Sequence, residues 1–158
     1  MSREVTSQQA LAGIAKALAD CESAIEHHPP RTVALYQQGK ASFLEGQEGV
    51  EHTDWSRSTG LTLPQLALLH QYLFAASFMS AWFHMHWDKK RRDHAAHSAC
   101  LLVSALGFDP PDVMRQFIMY EQIWRVSMRS AGMGLGRKLG WLLLLFLFLG
   151  LILWLAFR

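Results

Sequence analysis

Hydrophobic residues recur along much of this chain at steps of three and four positions, the spacing that places them on one face of a helix. The stripe is clearest in the first and the last of five predicted helices. No segment shows the strict alternation of a half-buried strand, so we predict an all-α fold, a small helical bundle over residues 1–129. The predicted helices cover residues 7–28, 33–45, 63–87, 93–106 and 110–129.

Residues 139–157 contain no charged residue and no proline. As a helix they would span roughly 28 Å, close to the ~30 Å hydrocarbon core of a bilayer, and would satisfy their own backbone hydrogen bonds there. Trp141 and Trp154 lie near the two ends, where indoles favour the membrane interface. We therefore predict a single C-terminal transmembrane helix, a tail anchor. A buried core helix is the alternative, and it would need a larger domain around it.

Residues 130–138 form a Gly-rich basic linker, with Arg137 and Lys138 directly before the predicted span. The positive-inside rule then places the N-terminal domain in the cytoplasm. The first ten residues are polar and do not form a secretory signal peptide. We expect a bacterial inner membrane, with a eukaryotic organelle membrane as the alternative.

Residues 63–87 carry no charge apart from histidine, and their apolar side chains cover most of the helix circumference. Such a helix is either the centre of a bundle or a membrane span. In the second case two spans would flank one basic cytoplasmic loop, and the N-terminal region would lie outside. Histidines such as His70 and His84 are costly in lipid, which favours the bundle.

Charge is distributed unevenly: residues 1–62 hold five of the 15 basic residues but eight of the 13 acidic ones. The basic half is therefore the half next to the predicted anchor. It includes a run of four cations that we expect to contact lipid headgroups or an acidic partner. That run is Lys89, Lys90, Arg91 and Arg92. Without a nucleic-acid-binding motif, we expect no nucleic acid partner.

A cluster of histidines and acids surrounds that run. If one helix continued through it, His86, Asp93 and His97 would share a face, and Asp93 with His97 could grip one metal ion. A first-row metal needs three or four ligands, so another segment would have to supply the rest. The interpretation that we favour is a solvated or headgroup-level face with no metal and no cofactor.

Residues 45–60 have the composition of a loop. A loop of this length in a compact domain is typical of a functional or mobile segment. Its one large apolar side chain, Trp55, is a candidate partner anchor, and the alternative is that it folds back onto the core. Gly132, Gly136 and Gly140 have the spacing of a helix-packing ridge, which would allow a homo-oligomer, although a flexible linker is the preferred interpretation.

Two cysteines, Cys21 and Cys100, do not suggest a disulfide framework, and apolar neighbours predict that Cys100 is structural rather than nucleophilic. We assign the chain to no family from its sequence. The leading hypothesis is a membrane-anchored, non-catalytic adaptor or assembly subunit that binds protein partners of a membrane complex. The alternatives are a two-span subunit of a transport or redox complex, and a membrane-tethered metal-dependent enzyme using Asp93 and His97.

Overall fold

A computed structural model describes residues 2–47, 60–133, 144 and 146. Within these ranges every regular element is a helix and there is no strand, so the predicted all-α class is confirmed. The helices are α1 (Ser2–Glu26), α2 (Pro30–Gln47), α3 (Leu63–Met85), α4 (Lys89–Ser104) and α5 (Pro110–Ser130).

Several helix boundaries differ from the predicted ones, such as the start of α1 at Ser2 rather than at residue 7, and two of these differences have clear local reasons. Helix α3 ends at Met85 rather than at residue 87, because Trp87 takes a left-handed conformation with φ 62° that cannot continue a helix. Helix α4 begins at Lys89 rather than at residue 93, because Asp88 caps it by accepting a hydrogen bond from the Arg91 backbone N–H at 3.0 Å. The charged run is therefore the first turn of α4.

Helix α3 is the centre of the bundle and packs against α1, α4 and α5. Its length and composition would also allow it to cross a membrane, but 72% of its most apolar stretch is buried inside the protein. The apolar circumference read from the sequence is thus covered by neighbouring helices. This packing favours the bundle-centre interpretation of residues 63–87 over a second span.

Trp124 of α5 connects three helices. Its indole is 2% exposed, and Nε1 donates a hydrogen bond to the Phe74 carbonyl of α3 at 3.0 Å. The ring also packs edge-on against Phe78, with centroids 4.8 Å apart, and lies 5.9 Å from the ring of Tyr36 on α2. At Gly39 of α2, an added Cβ would lie 2.6 Å from Cζ3 of Trp124, so only glycine allows this approach.

Cross-helix contacts give α1, α3 and α5 one direction and α2 and α4 the opposite one. His28, just after α1, stacks edge-on against Trp82 with ring centroids 4.9 Å apart. Thr32, near the start of α2, contacts the Met133 sulfur at 4.0 Å. One end of the bundle, which we call the exit end, thus gathers the last turns of α1, α3 and α5 and the first turns of α2 and α4.

The chain leaves helix α5 at the exit end through a glycine turn. Gly132 has φ 72°, its N–H bonds to the Arg129 carbonyl, and the Met133 N–H bonds to the Met128 carbonyl, both at 3.0 Å. This is a Schellman ending, which stops the helix. Gly132 therefore lies at the end of a helix and not on a helix-packing ridge, the less favoured interpretation of Gly132, Gly136 and Gly140, while the other two glycines lie outside the described residues.

Candidate functional site: a groove between α2 and α5

An apolar groove of about 610 Å³ lies between α2 and α5, within the size range of ligand and peptide pockets. Its floor is formed by the edges of aromatic side chains from the core, and its walls by the facing surfaces of the two helices. None of the described residues that line it is charged. The lining residues are Leu35, Gln38, Gly39, Ser42, Phe43, Phe74, Ile123, Trp124, Ser127, Ser130 and Ala131.

Small residues create the groove. Gly39 has no side chain, which lets the Trp124 indole approach the α2 backbone. On the other wall, the Ser127 hydroxyl donates to the Ile123 carbonyl at 3.0 Å, so its hydrogen-bonding capacity is already used within α5. The groove therefore offers mostly apolar contact and close access to two helix backbones.

The groove continues onto an exposed apolar strip of α5. Met119, Ile123 and Val126 are 47%, 50% and 63% exposed, and their spacing of four and three places them on one face. The opposite face of α5 holds the residues predicted as its apolar stripe, and these are buried in the core. That stripe consists of Val113, Phe117, Tyr120, Trp124 and Met128.

Helix α2 is held to the rest of the domain by one polar cluster. The Tyr36 hydroxyl donates to Glu22 of α1 at 3.0 Å, and Lys40 forms an ion pair with the same carboxylate. Burial, and then the negative charge of Glu22, raise the pKa of Tyr36, so that this hydroxyl stays a donor. The cluster positions the α2 wall of the groove.

The residues of the predicted metal cluster are separated by the turn after α3. Nδ1 of His86 donates to the Trp82 carbonyl at 2.8 Å, and its ring lies 3.9 Å from the Trp82 ring. Asp93 accepts from Arg92 at 2.6 Å, while His97 is exposed one turn further along α4. The assumption of one continuous helix is wrong, and no three or more His, Cys, Asp or Glu side chains converge within the described ranges.

Histidine His84 lies among cations at the exit end. An Arg92 N–H donates to its Nδ1 at 3.4 Å, and Arg125 and Arg129 of α5 also face it. Burial, followed by the positive charge of Arg125, lowers the pKa of His84, against a smaller opposing effect of Glu121. His84 is therefore held in its neutral form, as an acceptor for Arg92.

Both thiols are poor nucleophiles. Burial, with smaller effects from Asp20 and Glu22, raises the pKa of Cys21 to about 11. Burial also raises the pKa of Cys100, whose Sγ lies 3.8 Å from the Met114 sulfur. The sequence interpretation of Cys100 as a structural residue agrees with this environment.

Several predicted site residues lie outside the described part of the chain. They are Trp55, Arg137, Lys138, Trp141 and Trp154. Of the predicted transmembrane segment the structure describes Leu144 and Phe146, and both are helical with exposed side chains.

Comparisons with protein-family models, with curated proteins and with solved structures found no match. Sequence reasoning missed the groove, because the closeness of α2 and α5 is a tertiary contact. The available signal was a set of apolar residues of α5 outside its predicted stripe: Ile118, Met119, Ile123 and Val126.

Proposed function

We propose that this protein is a membrane-anchored, non-catalytic adaptor or assembly subunit whose α2–α5 groove binds an amphipathic helix of a partner protein. The observation that carries the proposal is the groove itself, which is apolar, free of charge and continuous with Met119, Ile123 and Val126. Contiguous exposed apolar surface of this kind is typical of interaction sites.

A helix is the ligand that best suits this shape. Two helices form the walls, and the small residues Ser42 and Ser127 permit close approach of a third backbone. Helix-in-groove binding uses apolar anchors at steps of three and four on the ligand, which would meet Leu35, Phe43 and Ile123 here. Because no charge lines the groove, apolar contact rather than ion pairing would supply the affinity.

Support for the membrane anchor comes from residues 139–157. Their composition matches a transmembrane helix, and the helical residues Leu144 and Phe146 expose their side chains instead of packing on the domain. A bilayer would cover such side chains. Since α3 is buried in the domain, the proposed arrangement has one span and a domain at the membrane surface.

The proposal is tested by photo-crosslinking from the groove in cells. A photoreactive residue at Gln38, on the α2 wall, should yield a covalent adduct with a partner, within a segment whose apolar residues recur at steps of three and four. Ile123→Glu places a charge in the groove and should abolish the adduct. Leu63→Glu, at an exposed aliphatic residue outside the groove (61% exposed, against 50% for Ile123), is the matched control and should leave the adduct unchanged.

Three outcomes would overturn this proposal. One is an adduct only with residues 139–157 of the same chain, which would make the groove a site for the chain's own apolar segment. Another is an adduct that persists in Ile123→Glu. The third is no adduct while the protein purifies alone.

A further inference from the structure

The turn between α3 and α4 presents an unusually exposed aromatic side chain. Trp87 is 81% exposed. Among the described residues it is also the one non-glycine residue with a positive φ. The Trp87 N–H bonds to the His84 carbonyl at 3.2 Å, and the Asp88 N–H bonds to the Phe83 carbonyl at 2.9 Å. These bonds fix the turn, and the indole points away from the core that other large aromatic residues join.

A run of four cations begins two residues after Trp87, behind Asp88. Asp88 pairs with Arg91, and Asp93 pairs with Arg92. None of the described ion pairs includes Lys89 or Lys90, and both side chains are exposed. The first turn of α4 therefore presents an excess of positive charge next to an indole, at the exit end.

The exit end is also where the chain departs toward the predicted membrane segment. Only five residues separate Met133 from Leu139, including the cations Arg137 and Lys138. Fully extended, the six Cα-to-Cα steps from Met133 to Leu139 reach roughly 20 Å. Whenever residues 139–157 are in a bilayer, the exit end must therefore stay near the headgroups, which makes its docking an intramolecular event at high effective concentration.

The two ends of the bundle differ in charge. The exit end also carries Arg31, Arg125 and Arg129 against one further acid, Glu26, whereas Glu45 and Asp109 lie at the far end, where Asp112 is paired with Arg115. An anionic surface would attract the exit end and repel the far end. The charge distribution thus selects one orientation of the domain.

We propose that the exit end docks onto the anionic lipid surface, with Trp87 entering the headgroup layer and Lys89 and Lys90 contacting lipid phosphates. This inference rests on the proposed membrane anchor. Indoles flanked by lysine and arginine suit the membrane interface. In this orientation the helices stand close to the membrane normal, so the α2–α5 groove receives a partner helix that also stands upright beside the domain.

The test measures spin-label depth in the full chain, reconstituted in nanodiscs. A nitroxide at His86→Cys, in a Cys21→Ser, Cys100→Ala background, reports the docked turn while Trp87 and both lysines are retained. Nanodiscs contain phosphatidylcholine alone or with one third phosphatidylglycerol. In anionic discs the label should lose access to a water-soluble nickel relaxant and gain access to oxygen, and a control label at Leu101→Cys, at the far end, should not.

Lys89→Gln with Lys90→Gln should lower the docked-to-undocked ratio about thirtyfold, since each lysine near an anionic surface contributes about 1 kcal/mol. Trp87→Ala should also weaken docking, and high salt should weaken it further. Equal nickel access at positions 86 and 101 in anionic discs would overturn the inference. So would docking that requires an added acidic protein rather than anionic lipid.

A third label separates this inference from the proposed anchor. Leu144→Cys should be accessible to oxygen and shielded from nickel in both kinds of disc. If that label is aqueous, the anchor fails and the docking inference fails with it. If it lies in lipid while position 86 remains aqueous, the anchor stands and only the docking is wrong.

Discussion

Neighbouring residues of α5 have opposite environments, which shows what a single position contributes. Trp124 is buried and hydrogen-bonded to the Phe74 carbonyl, whereas Ile123 is half exposed and lines the groove. The helical period predicted that Trp124 is buried, because Trp124 belongs to a regular apolar stripe. Ile123 falls outside that stripe, and only the position of α2 reveals what it borders.

Thiol reactivity gives a prediction at the residue scale. With a pKa of about 11 rather than 9.0, Cys21 should hold roughly a hundredfold less thiolate near neutral pH, and buried Cys100 should also react slowly. A disulfide reagent added to the native protein in mild detergent should modify both cysteines far more slowly than after unfolding in urea. Fast modification of the native protein would contradict both burial and the raised pKa values.

The metal hypothesis shows how one backbone angle can alter a sequence interpretation. The i,i+4 relation of Asp93 and His97 holds, since both lie on α4. His86 does not share their helix, because the left-handed Trp87 ends one helix before Asp88 caps the next. The predicted helices 63–87 and 93–106 already left a gap here, but with no glycine or proline in the stretch its position and the left-handed Trp87 could not be predicted.

At the scale of the element, helix α2 illustrates the limit of pattern reading. Its apolar residues are few, and its predicted bounds of 33–45 lie inside the observed Pro30–Gln47. Its placement is fixed by partners that are distant in sequence: Glu22 for Tyr36 and Lys40, and Trp124 for Gly39.

Gly39→Ala should destabilise the protein by about 1–3 kcal/mol, because the new methyl group overlaps the Trp124 ring in a packed interior. This reverses the usual sign, since alanine in place of glycine within a helix normally stabilises by about 0.5–1 kcal/mol. Urea unfolding of the full chain in mild detergent, followed by helical circular dichroism, measures the change.

Gly46→Ala is the matched control on the same helix. Nothing lies within 4 Å of its added Cβ, so this variant should be neutral or slightly more stable. Equal effects of the two substitutions would mean that Trp124 does not pack on Gly39 in solution.

At the scale of the whole molecule, the main question is which apolar helix meets lipid. Helix α3 and residues 139–157 both have enough length and apolar character to cross a bilayer. Helix α3 is surrounded by α1, α4 and α5, whereas the described residues of the second segment are exposed. Hydropathy is a property of the segment, while burial depends on what surrounds it.

In a single-span arrangement, the residues that precede α3 in the chain and those that follow it lie on the same side of the membrane. Single cysteines at Leu63→Cys and Leu101→Cys, in a Cys21→Ser, Cys100→Ala background, should react with an impermeant maleimide from the same face of sealed vesicles. Permeabilised vesicles provide the control for intrinsic reactivity. If the two positions label from opposite faces, α3 spans the membrane and the bundle is not the native arrangement.

The sequence by itself determined the all-α class, the apolar stripe of α5, the start of that helix at Pro110 and the structural character of Cys100, because these depend on local spacing and local chemistry. Tertiary structure decided that α3 is covered by other helices and that the groove forms beside Gly39. It also decided that Trp87 and the cations share an end with Met133. Each of these depends on residues far apart in the chain, whose proximity is set by the packing of the whole bundle.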